Sequence, residues 1–80
     1  MVTVYRGNGL RIMIFSNDHT PAHVHVFVGE GEAKINLFGE DGAPEVVWSI
    51  GIKHGPLTRA VEIISNVQGD LLDRWTEIHG

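Results

Sequence analysis

His23-Val24-His25-Val26-Phe27-Val28-Gly29-Glu30-Gly31-Glu32-Ala33-Lys34-Ile35-Asn36-Leu37-Phe38 decides the fold. Side chains along a strand point alternately to opposite faces. Val24, Val26 and Val28 therefore share an apolar face, and His23, His25 and Phe27 share the other. After Gly29-Glu30-Gly31, Ala33, Ile35 and Leu37 alternate with Glu32, Lys34 and Asn36. Two alternating runs around a glycine-rich turn predict a β-hairpin. A slip of one residue would move a whole apolar set to the wrong face. Pairing Val28 with Ala33, Val26 with Ile35 and Val24 with Leu37 keeps the apolar faces together. It calls for an even-numbered loop, either Glu30-Gly31 or Gly29 to Glu32. His25 then faces Asn36, and Phe27 faces Lys34, on the polar face.

Working outward, Val2 to Tyr5 and Leu10 to Phe15 read as a second hairpin around Gly7-Asn8-Gly9, a turn tolerant of positive φ. Leu10, Ile12 and Ile14 share one face. Tyr5, Arg11 and Phe15 would join the histidine face if this hairpin extends the same sheet. Gly39 to Pro44 is a loop. Glu45 to Ile52 is a further strand with Val46, Trp48, Ile50 and Ile52 on one face. Pro56 suits the first position of a helix. Leu57, Val61, Ile64, Val67, Leu71, Trp75 and Ile78 then recur at spacings of three and four, an amphipathic stripe. One continuous helix is expected, with two helices broken near Gly69 as the alternative. The fold class is α+β: a small antiparallel sheet of four or five strands, built from β-hairpins, against one C-terminal amphipathic helix. Residues 1–80 form a single domain.

The chain has 80 residues, no cysteine and a net charge of −4. Disulfides, thiolate nucleophiles and sulfur-ligated metals are excluded. The missing disulfides, and an N-terminus unlike a signal peptide, lead us to expect a cytoplasmic protein. No apolar run approaches the roughly 18 residues of a membrane span. The six Lys and Arg are scattered, which disfavours phosphate-backbone binding by charge alone. Ser16, Ser49 and Ser65 lack a nucleophile-elbow context. So small a domain buries a limited core, so a protein partner or homo-oligomer is expected.

Ser16-Asn17-Asp18-His19-Thr20-Pro21-Ala22-His23-Val24-His25-Val26 resembles the signature of a family of small bacterial proteins catalogued as domain of unknown function 4160. Thr3-Val4, Glu32-Ala33-Lys34 and the tail from Trp75 to Gly80 also resemble that family. Ala22 departs from it, standing where a second proline is usual. The resemblance implies a compact α+β domain. It also implies a gene often placed beside another small protein, in an arrangement similar to toxin–antitoxin or regulatory operons.

Chemistry concentrates in the same stretch. His23 and His25 project from one strand face, and His19 sits in a loop bent by Pro21. Three imidazoles with an open fourth position would suit zinc or another divalent metal. Asp18 or Glu30 could ligate or orient a ring. Asn17, Asp18, Pro21 and Asn36 complete the motif's surroundings. A metal-bound water would support hydrolase or nuclease chemistry. The plainer reading is that the rings simply hydrogen-bond the Ser16–Thr20 loop. His54 and His79 read as isolated surface or helix-end residues. Trp48 and Trp75 read as core or interface anchors, and an exposed one favours an interface. A histidine triad is excluded by Phe27, which stands where the third alternating histidine belongs. The leading functional expectation is a partner-binding or regulatory module. A metal-dependent enzyme and a nucleic-acid-binding regulator working with a partner are the rivals.

Overall fold

The computed structural model describes residues 1–80. Five strands, β1 (Val2–Gly7), β2 (Leu10–Ile14), β3 (His23–Val28), β4 (Gly31–Asn36) and β5 (Glu45–Ile50), precede two helices, α1 (His54–Asn66) and α2 (Gln68–His79). The strands form one antiparallel meander in chain order. The helices cover one face. Ala60, Ile64, Leu71 and Trp75 pack on Leu10, Ile12, Ile14, Val24, Val26, Ala33, Ile35 and Leu37. The alternating apolar sets therefore meet the helical stripe, as their periods require. The other face of the sheet carries no helix.

The register of the central hairpin differs from the expected one by two residues. Val28 pairs with Gly31, Val26 with Ala33 and Val24 with Ile35. His23 therefore faces Asn36, and His25 faces Lys34. The loop is Gly29-Glu30, with Gly29 at φ 56°. Positive φ at the first of two loop residues fits a type II′ turn, whose twist suits a hairpin. Gly31 belongs to β4 and lies against the backbone of Gly51, where a Cβ would collide with that carbonyl. A shift of two preserves every side chain's face, so the apolar pattern could not distinguish the two registers.

Two β-bulges redirect side chains. In β1 the register steps between Thr3 and Tyr5, pairing Tyr5 with Ile12. Tyr5 thus packs beside the core and not on the histidine face. In β4–β5 the step lies between Lys34 and Ile35. Val46 pairs with Ile35 on the helix-covered face, whereas Trp48 and Ile50 oppose Lys34 and Glu32 on the uncovered one. The expected common face of Val46, Trp48 and Ile50 is therefore split, because a bulge adds one unpaired residue and breaks the period of two.

The stripe folds as two helices instead of one. The alternative of a break near Gly69 holds: the chain breaks at Val67 (φ −128°, ψ 23°), two residues before Gly69, which itself lies inside α2. Asn66 and the β-branched Val67 are both weak helix formers. Directly after the break, Gln68 Nε2 donates to Leu37 O (2.7 Å) and Gly42 O (3.0 Å), fastening α2 to the β4–β5 loop. α1 starts at His54, two residues before Pro56. Proline is tolerated there because first-turn N–H groups lack intrahelical acceptors. Neither helix is long and apolar enough to cross a membrane.

Candidate metal centre

The β2–β3 loop carries Asp18 back over β3. Asp18 N donates to Phe15 O (3.2 Å), and Phe15 N reaches Asp18 Oδ2 at 3.4 Å. Short polar side chains favour such turns because they bond nearby backbone. The carboxylate then meets both strand histidines. Asp18 Oδ2 lies 3.2 Å from His23 Nε2 and 3.5 Å from His25 Nε2. The three ligand atoms fall within 4.8 Å of one another. His23 is buried although its strand face bears no helix, because the loop lies over it.

The opposite ring nitrogens decide the tautomers. His23 Nδ1 lies 2.9 Å from Pro21 O, which can only accept, so Nδ1 donates. His25 Nδ1 lies 3.3 Å from Glu32 Oε2 and donates to that carboxylate. A neutral imidazole carries one N–H, so each Nε2 offers a lone pair towards Asp18. His25 Nε2 is buried with no hydrogen-bond partner; its 3.5 Å approach to Asp18 lacks hydrogen-bond geometry. Lone pairs and a carboxylate oxygen converging in this way repel unless a cation or proton lies between them.

A tetrahedral zinc ion with bonds of about 2.0–2.1 Å sets its ligand atoms about 3.3 Å apart. The two distances from Asp18 Oδ2, 3.2 and 3.5 Å, bracket that edge, and the two histidine nitrogens lie within 4.8 Å of each other. Outward Nδ1–H bonds to a carbonyl and a carboxylate are the usual supports of metal-binding histidines.

The expected residues divide clearly. His23 and His25 come together, and Asp18 joins them. His19 is exposed and outside the cluster. Asn17 and Glu30 are exposed as well, Glu30 in the hairpin turn. Pro21 contributes its carbonyl, following a cis Thr20–Pro21 peptide. Asn36, across from His23, donates to Glu45 Oε1 (3.2 Å), and its own Oδ1 is buried without a partner.

Glu32 escaped the sequence reading because its role depends on the register. The Phe15 ring stands edge-on to His25 at 4.6 Å between centroids, and Trp48 flanks His25 at 6.4 Å. His79 is not isolated. It stacks on Trp75 (3.9 Å), approaches Trp75 O with Nδ1 (2.7 Å), and reaches Phe15 O with Nε2 (3.1 Å). The four-residue spacing of Trp75 and His79 was the one available signal. Beside the cluster, Met1, Arg11, Met13, Phe15 and Phe27 line a shallow groove of about 280 Å³. The Arg11 guanidinium sits 5.5 Å above the Phe27 ring.

The sequence model of a domain of unknown function (DUF4160) matches residues 9–76. The chain belongs to that family. The DUF4160 match takes in the loop, both strand histidines, Glu32 and all but the last few residues of α2. No curated protein and no solved structure matches the chain.

Proposed function

We propose that this DUF4160 domain binds one divalent transition-metal ion, zinc or a close relative, through Asp18 Oδ2, His23 Nε2 and His25 Nε2. The observation that carries the reading is the convergence of these acceptor atoms while both Nδ1 positions are held outward by Pro21 O and Glu32. Nitrogen-rich ligation favours zinc and its neighbours over calcium or magnesium, which take oxygen. A fourth position remains for water or a ligand. The metal would make a bound water more acidic, the starting point of hydrolytic chemistry. The hydrolase or nuclease reading rests on that position.

The test is metal titration of purified, untagged protein by calorimetry, with elemental analysis and thermal melting in parallel. One equivalent is expected to bind. Zinc at about 100 times its dissociation constant stabilises the folded state by about 2.7 kcal/mol. His23→Ala and His25→Ala remove both effects. A wild-type protein without stoichiometric zinc, cobalt or nickel, and without any melting shift, overturns the reading.

A partner-binding role, the leading expectation from sequence, draws its support from the sheet edge beside that cluster, where Trp48 flanks His25. Trp48 is 37% exposed on edge strand β5.

A further inference from the structure

We infer that β5 pairs antiparallel with β5 of a second copy of this chain, joining two five-stranded sheets across a two-fold axis. The inference deepens the partner-binding reading by naming the partner, and it is independent of the metal site.

β5 is an edge strand with apolar residues exposed on both faces. Val46 is 37% exposed, Val47 46% and Ile50 69%. The strand contains neither lysine nor proline, and its one charge, Glu45, is at its start. Natural sheets ordinarily blunt such edges with charge, proline or a covering element, because unpaired N–H and C=O groups recruit another strand. The opposite edge is blunted. β1 is interrupted by the bulge beside Val4 and carries exposed Arg6, and its Val4 and Tyr5 lean on the core.

This asymmetry selects the partner's geometry. Pairing β5 with β1 of the next molecule would propagate a filament, and the irregular β1 edge resists it. Pairing β5 with β5 closes after two copies. The charges agree with an antiparallel arrangement. Glu40, Asp41 and Glu45 gather at the start of β5, and Lys53 follows its end. Antiparallel pairing sets each acidic end beside the partner's lysine, twice per dimer. The bulge turns Trp48 and Ile50 to one face and Val46 to the other, so apolar contact extends along both faces of the seam.

Sedimentation equilibrium of the full chain over a wide concentration range tests the inference, with Val47→Lys, Ile50→Lys and Lys53→Glu alongside. These positions are exposed, so circular dichroism and melting should show folded variants. Wild type is expected to dimerise. Val47→Lys weakens the dimer by about 100-fold or more, since near the two-fold axis it sets like charges against each other across the seam, whereas Ile50→Lys, whose charge meets the partner's acidic end, weakens it through the apolar contact it removes. Lys53→Glu weakens it less. A wild type that stays monomeric, or a dimer indifferent to both lysine variants, overturns the inference. A monomer that captures a different protein through β5, and loses it in both variants, also overturns self-association while leaving partner binding in place.

Discussion

His25 Nδ1 lies 3.3 Å from Glu32 Oε2, across the β3–β4 hairpin and next to the pair formed by Phe27 and Glu32. That contact orients the ring so that Nε2 looks towards Asp18. Glu32→Gln keeps the shape and removes the charge. Its expected effect is a metal affinity lower by about 10- to 100-fold, the usual cost of losing a ligand's outer partner. Folding stability should barely change, because the Glu32 side chain is 38% exposed and such pairs contribute little. Calorimetric titration beside a urea melt separates the two.

Asp18 and His19 are neighbours with opposite expected behaviour. Asp18→Asn removes a charged ligand and should cut metal affinity by well over about 10-fold. His19→Ala should leave affinity within about 2-fold of wild type, because an exposed side chain away from the cluster contributes little. Equal losses in the two variants would return His19 to the ligand set.

Gly31 has no room for a side chain. A Cβ there would run into Gly51 carbonyl and the Ile52 side chain. Gly31→Ala must push β5's end away from β4, at a cost of about 1–3 kcal/mol. Chemical denaturation measures it. An alanine tolerated without loss would show that the β4–β5 contact is looser than its geometry.

Gly69 is the reverse case. It lies inside α2, exposed, with nothing within 4 Å of an added Cβ. Gly69→Ala should stabilise the domain by up to about 1 kcal/mol, raising the melting temperature by about 4–8 °C. A lower melting temperature would mean that the Val67 break depends on glycine nearby.

Much of this architecture was legible in one dimension. The alternation in Leu10–Ile14, His23–Val28 and Glu32–Leu37 named the strands and their buried faces, because a period of two leaves little choice. The three-and-four spacing from Leu57 to Ile78 named the helical lid. The place of the helix break was less visible, because Val67 belongs to the apolar stripe and also ends α1. The face of Tyr5 and the common face of Val46 and Trp48 were misread for one reason. A bulge adds a residue to one strand of a pair, and nothing in the local pattern of β1 or β5 announces it.

By itself, the sequence determined the α+β class, the histidine face of β3 and the family to which the chain belongs. Periodicity and a distinctive motif are local properties, so they survive without coordinates. Only the tertiary structure decided that Asp18, not His19, closes over His23 and His25, that Glu32 supports His25, and that β5 stays uncovered. Each of these depends on a loop's path, a two-residue choice of register or the reach of a helix. Hydrophobic patterning is indifferent to all three, because every alternative keeps the same apolar side chains on the same face.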